Sequence, residues 1–152
     1  MIFLMRHSIA TRGDFSVPDD GRWLTKEGRD LANEAAAALQ AHLQRTMQTI
    51  DFIASSPCVR AVQTAEIVSR QLQWTEAIPS MQAVRSESSP QQAIEEIAAL
   101  PFLNGLIVCH EPIVSSMSVL LSGQTPTSHR SGFRTAEIRS FAEGGANWLW
   151  RG

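Results

Sequence analysis

Hydrophobic residues follow two rhythms along this chain. Three short unbroken apolar runs, Ile2 to Met5, Phe52 to Ala54 and Leu106 to Cys109, have the length and continuity of strands buried on both faces. Between them the apolar positions recur at helical spacing. Leu31, Ala35, Ala38 and Leu39 share one face of a helix that starts after Thr25, a suitable N-cap, and runs to about Arg45. Ala61, Ala65, Val68 and Leu72 form the inner stripe of a second helix, for which Ser56-Pro57 reads as N-cap and first helical residue. Ser89-Pro90 with Gln92 opens a third in the same way, carrying Ile94, Ile97 and Ala98. Pro112 starts a fourth, with Val114, Met117 and Leu121 inward and Gly123 closing it. Thr135 to Ala142 and Ala146 to Arg151 flank Gly144-Gly145 as a hairpin, with Trp148 and Trp150 on one face and Leu149 on the other.

Strands alternating with helices, then a terminal hairpin, predict a three-layer α/β/α sandwich with a mainly parallel central sheet and an antiparallel edge. Ligands of such sheets sit beyond the carboxyl ends of the strands. Polar residues follow each apolar run at that end: Arg6-His7, Ser55-Ser56 and His110-Glu111. Three separated segments can therefore supply one rim.

At 152 residues, 43% hydrophobic and 18% charged, the chain suits one domain spanning residues 1–152 with a single core. No internal repeat or Pro/Gly/Ser-rich linker divides it. A net charge of -2 gives no global basic field, which argues against nucleic acid and anionic membranes as partners; any anion is bound locally. Two cysteines, Cys58 and Cys109, are too few for a disulfide framework, and Arg6 interrupts the opening apolar stretch before a signal-peptide core can form. No apolar run approaches the ~18 residues of a membrane span. A cytoplasmic monomer is the expectation.

The stretch "SSPCVRAVQT", residues 55–64, carries the most specific chemistry. A helix N-terminus offers unpaired backbone N–H groups to an anion, and Arg60, one turn in, adds a planar fork that can grip phosphate oxygens bidentately. An ordinary capped helix with a solvated arginine is the plainer reading of this segment alone. Together with "MRHS" after the first strand, "LTKEG" at Leu24 to Gly28 and "VCHEP" at 108–112, it resembles the histidine phosphatase superfamily, of phosphoglycerate-mutase-like fold, in its short SixA-type phosphohistidine phosphatase branch. The four pieces occur in the right order over most of the chain.

The resemblance implies that His7 is the nucleophile and that Arg6, Arg60 and His110 hold the phosphate oxygens, with no metal and no cofactor. A neutral imidazole is available near pH 7, and two guanidinium groups with a second imidazole can neutralise the equatorial oxygens of an in-line phosphoryl transfer. Water then hydrolyses the phosphohistidine intermediate and releases inorganic phosphate. Ser8 stands where the family has glycine; its hydroxyl either crowds the phosphate or donates a hydrogen bond to it. Many relatives take a general acid from the segment after the second helix. Glu87 in "VRSESSP" is the candidate there, with Asp19 and Asp20 before "LTKEG" as rivals.

The substrate implied is phosphohistidine on a signalling phosphotransfer domain. Alternatives are a phosphatase of small phosphomonoesters such as sugar phosphates, and a catalytically weak phosphate-binding module; mutase chemistry is disfavoured by the lack of enclosing insertions. Remaining polar residues have plainer explanations. His42 falls in the apolar arc of the first helix near its C-terminus, a place for packing and dipole complementarity. His129 and Arg130 belong to a polar loop that can serve as surface or as substrate contact. Cys109 precedes His110, but adjacent strand residues face opposite ways, so a buried inert thiol is expected rather than a dyad. The spacing of His, Cys and carboxylates matches no metal-ligand signature.

Overall fold

The computed structural model describes residues 1–13, 16–123, 132–142 and 145–151. Strand β1 (Ile2–Arg6) leads to helix α1 (Lys26–Thr46), then β2 (Phe52–Ser55), α2 (Val59–Gln71), α3 (Pro90–Ala98), β3 (Gly105–Cys109), α4 (Ile113–Ser122), β4 (Ile138–Ala142) and β5 (Gly145–Trp150). The five strands form one sheet in the order β2-β3-β1-β4-β5. β2, β3 and β1 are parallel, and β4 and β5 add an antiparallel edge. This is the phosphoglycerate-mutase-like α/β/α fold that the sequence leads one to expect.

Period-two alternation assigns each strand residue to a layer. Phe3, Met5, Ile53, Leu106 and Val108 pack against Ala35, Ala36 and Leu39 of α1 and Ala61, Ala65 and Val68 of α2. Leu4, Ala54, Ile107 and Cys109 face the other way, onto Ala93 and Ile97 of α3 and Val114 and Met117 of α4. The continuous apolar runs are thus explained by helices on both faces. Cys109 is buried on the α3/α4 side, and burial pushes its thiol pKa up.

Local signals place most of the helix ends. Thr25 caps α1, its hydroxyl accepting the Gly28 N–H at 2.9 Å, and Ser89 caps α3 by accepting from Gln92. The glycine of "LTKEG" is demanded by close approach: a Cβ at Gly28 would stand 2.0 Å from the Ile9 carbonyl oxygen. That contact, with the Thr25 N–H on the same carbonyl at 3.0 Å, ties the start of α1 to the segment just after His7.

Three expectations shift. Helix α2 begins at Val59 with Cys58 as its N-cap, not at Ser56-Pro57. The Ser56 N–H is still held by the Val108 carbonyl at 2.9 Å and its hydroxyl is engaged elsewhere, so the sheet claims this serine before the helix can. Strand β4 begins at Ile138 rather than Thr135, because Ala136 adopts a left-handed conformation (φ 60°) and the Glu137 N–H turns back to the Arg134 carbonyl. On α3 it is Ala93, not Ala98, that joins Ile97 in the core.

His42 stacks on Trp148, ring centroids 4.4 Å apart. Burial, then the Arg45 charge, lowers its pKa, so it serves packing and not as a cation for the helix dipole. His129, Arg130 and Gly144 lie outside the described residues. Among the described residues no helix is long and apolar enough to cross a membrane.

Candidate active site

Register brings the polar strand ends together. Arg6 is level with Cys109 and Ser55 with Val108. The ladder continues one step past the strands: the His7 N–H donates to the Cys109 carbonyl and the Ser56 N–H to the Val108 carbonyl, both at 2.9 Å. Strand parity then sorts the side chains. Arg6 shares parity with Leu4 and donates from Nη1 to the Phe133 carbonyl at 2.7 Å on the α4 side. His7 shares parity with Met5 and meets Arg60 of α2. His110 meets Ser56 across the α2 side, with its ring centroid 5.0 Å from that of His7.

His7 is oriented by its neighbours. Its Nδ1 lies 2.7 Å from the Ser8 carbonyl oxygen; a carbonyl can only accept, so Nδ1 carries the proton and Nε2 the lone pair. The Arg60 Nε–H donates to that lone pair at 3.2 Å. Burial, with the charges of His110, Arg60 and Arg6 outweighing the Ser8 hydrogen bond, pushes the His7 pKa down to about 3. Burial and the Arg60 charge likewise take His110 down to about 4. Both imidazoles are neutral at pH 7.

His110 Nε2 is 2.7 Å from the Ser56 hydroxyl. Its Nδ1 and the Nε of Arg6 are buried without a hydrogen-bond partner. Unpaired buried polar atoms are rare in native proteins, and these two belong to side chains that line one cleft of about 440 Å³ with His7, Arg60, Asp19, Arg22 and Glu111. A larger cleft, about 680 Å³ between the C-terminal ends of α1 and α2, contains none of these residues.

The three carboxylate candidates do not share one position. Asp19 lines the cleft: its Oδ2 and backbone oxygen accept from Arg60 at 2.8 and 2.6 Å, and its Oδ1 from Arg22 at 2.8 Å. Burial acts to raise its pKa, but the Arg60 hydrogen bond and the Arg60 and Arg22 charges hold it below the usual range. Asp20 accepts from Arg85 at 2.8 Å and from the Cys58 thiol at 3.1 Å, and both bonds lower its pKa. Glu87 is exposed, paired to Arg85 at 2.6 Å, and held by that bond and the Ser86 hydroxyl down to about 2. Neither Asp20 nor Glu87 lines the cleft.

Ser8 does not line it either. It is buried, its N–H donates to Thr64 Oγ1 at 3.1 Å, and its hydroxyl has no partner. Its φ is not left-handed, so the backbone here does not require glycine. Of the "SSPCVRAVQT" turn, Arg60 alone reaches the cleft wall, in place of the helix N-terminus expected there. Thr64, one turn after Arg60, holds both the Ser8 N–H and the Arg60 carbonyl; its spacing on one helix face was the available signal. Arg22 and Glu111 are wall residues to which sequence reasoning gave no role. Glu111 stands in the quoted "VCHEP", while nothing local to "DDGRWLT" marks Arg22. Among the described residues no cluster of His, Cys, Asp and Glu has the arrangement to hold a metal ion.

Two histidines and three arginines line a cleft at the carboxyl end of a mainly parallel sheet, the place where such α/β folds bind ligands. Residues 2–98 match the histidine phosphatase superfamily (branch 1), and the chain belongs to that superfamily. It is similar to the protein histidine phosphatase SixA solved with tungstate: TM-score 0.82, 25% identity, 99% of this chain and 96% of that one covered. A protein of Agrobacterium tumefaciens assigned as phosphohistidine phosphatase SixA gives 0.75 at 21% identity over 91% of this chain and 88% of its own. A similarly assigned protein of Nakamurella multipartitia gives 0.74 at 21% identity over 99% and 94%. No curated protein matches the sequence. Superfamily membership supports phosphatase activity, and the two likenesses at 21% identity show the fold.

Proposed function

We propose that this protein is a phosphohistidine phosphatase that acts through a phosphoryl group carried on His7. The observation that carries the reading is the state of the His7 ring: Nδ1–H is committed to the Ser8 carbonyl, and Nε2 presents its lone pair beside Arg60 and His110. The tungstate held by the similar SixA structure, a tetrahedral oxyanion, agrees with a phosphate clamp in this cleft.

In the first step Nε2 attacks phosphorus and replaces its hydrogen bond to Arg60 with a P–N bond. Arg60, Arg6 and His110 then face the phosphoryl oxygens and offset the charge that develops there. The substrate's P–N bond breaks with its electron pair passing to the substrate ring nitrogen. A phosphohistidine ring protonated on its other nitrogen departs as neutral imidazole, and the positive charge passes to the His7 ring, which keeps its Nδ1 proton. Water then attacks phosphorus, dihydrogen phosphate leaves, and neutral His7 returns. No step draws a proton from the protein. That suits a site whose three candidate acids, Asp19, Asp20 and Glu87, are all held ionised by arginines. An alkoxide leaving group, by contrast, needs a proton donor worth about 10²- to 10⁴-fold.

The test compares kcat/KM for a phosphohistidine-bearing phosphotransfer domain with that for sugar phosphates. The protein substrate should win by at least about tenfold, ~1.4 kcal/mol at the transition state. Label from the substrate's phosphoryl group should appear on His7 as an acid-labile, alkali-stable adduct. Equal or better turnover of a sugar phosphate, or label on serine or cysteine, rejects the reading.

A further inference from the structure

Two carboxylates stand on the cleft wall, and their situations differ. Asp19 is neutralised at both oxygens, by Arg22 and by Arg60. Among the described residues Glu111 has no ion pair: its Oε1 accepts the Ser115 hydroxyl at 2.7 Å and the Phe133 N–H, and its Oε2 takes no hydrogen bond from them. Close packing of Gly132, where a Cβ would come within 2.7 Å of Oε1, helps to fix the side chain. The wall therefore offers one anchored carboxylate oxygen and one free one, in a cleft whose other charged or titratable groups are Arg6, His7, Asp19, Arg22, Arg60 and His110.

An uncompensated negative charge is a liability where a phosphate must bind, since it repels the incoming oxyanion. It becomes an asset if the ligand carries a positive charge beside its phosphoryl group. A phosphohistidine ring protonated on its second nitrogen is such a ligand: an N–H cation and a phosphoryl dianion on opposite sides of one small ring. Resting on the phosphohistidine reading above, we infer that Glu111 is a specificity-determining residue whose free Oε2 accepts the N–H of the substrate's second ring nitrogen. The bond favours the protonated ring, which is the form that can leave as neutral imidazole when its P–N electron pair returns to the ring. Arg6, Arg60 and His110 take the phosphoryl end and Glu111 the ring end, so phosphate esters gain nothing from it and meet only its repulsion.

Glu111→Gln tests this cleanly, because a glutamine oxygen can keep the Ser115 and Phe133 bonds while an NH₂ group replaces the free oxygen. Two substrates are compared, a phosphohistidine-bearing phosphotransfer domain and p-nitrophenyl phosphate. kcat/KM is the measure, since it does not include hydrolysis of the shared enzyme intermediate. Phosphohistidine should lose about tenfold at pH 6 and pH 8 alike, since kcat/KM refers both enzymes to the same free substrate, while the aryl ester holds or improves. Equal losses on both substrates, or no loss on phosphohistidine, overturn the inference. A wild-type measurement needs no variant to fold: the phosphohistidine-to-ester ratio should fall by more than about tenfold from pH 6 to pH 8, as a free imidazole ring of pKa ~6.5 gives up the proton that Glu111 selects. A ratio that holds across this range also overturns it. If the wild type turns over the ester and not phosphohistidine, the functional reading falls and takes this one with it. Phosphohistidine turnover without the Glu111 effects removes this one alone.

Discussion

The inner wall of the cleft and its rim treat ionisable groups in opposite ways. His7, half-buried, and His110, buried, sit inside beside arginines, and both are driven to the neutral form. Asp19, Asp20 and Glu87 sit further out, and arginine hydrogen bonds keep all three ionised. Burial drives the imidazoles neutral, with arginine charge acting in the same direction, whereas hydrogen bonds to arginines hold the carboxylates ionised. Neutral bases and no protonated acid at pH 7 make a site fitted to leaving groups that bring their own proton. The contrast therefore bears on substrate choice as well as on local electrostatics.

Removing the inner nucleophile should break the site completely. His7→Asn is expected to lower kcat on the order of 10⁶-fold, the scale seen when a nucleophile is lost, and to abolish the phosphorylated adduct without lowering the melting temperature at pH 7. Arg60→Ala should cost about 3 kcal/mol of transition-state stabilisation, read as kcat/KM, the usual scale for one preorganised donor. Arg60→Lys should recover little of it, since an ammonium cannot reach His7 and Asp19 at once as the guanidinium does.

The wall-and-rim contrast also has a pH signature. Between pH ~6.5 and about 3 the unfolded chain binds a proton on His7 that the folded protein refuses, so stability is unaffected above that window and falls as pH drops through it. Imidazole NMR titration should show His7 neutral at pH 5, where an exposed histidine is mostly charged, and His7→Asn should flatten the acid side of the stability curve. Midpoints near 6.5 for both histidines would remove the inner half of the comparison.

Rim changes should be smaller and graded by distance from Arg60. Asp19→Asn, which touches it, should alter kcat/KM by no more than about tenfold, Asp20→Asn less, and Glu87→Gln least, with ester and N–P hydrolysis changing alike, since none of the three is protonated to act as a donor. One rim carboxylate proving essential for phosphohistidine would identify a general acid and end the distinction drawn here. Chelators should change nothing, as arginines neutralise the phosphate; EDTA inhibition reversed by Zn²⁺ would sink the phosphate clamp.

What could be read from the chain alone was whatever depends on residues near in sequence. Apolar runs of strand length and stripes of helical spacing report burial through local period, so the layers, the parallel strands and the hairpin were legible, as were the caps at Thr25 and Ser89. "RH", "VR" and "CHE" were legible as site material because each follows a strand or opens a helix where such sheets bind ligands. Tertiary structure decided the rest. Strand register, not composition, set His7 beside His110; strand parity sent Arg6 toward Phe133 and His7 toward Arg60. The Asp19 to Arg60 pair joins residues 41 positions apart, and Ser56 gave its hydroxyl to His110 instead of capping α2. Arg22 acquired its place on the cleft wall only when distant segments closed around it, and Glu111, expected at the rim beside His110, found its partners Ser115 and Phe133 only there. A charged side chain's ionisation and its partner are properties of the space around it, and that space exists only after the chain has folded.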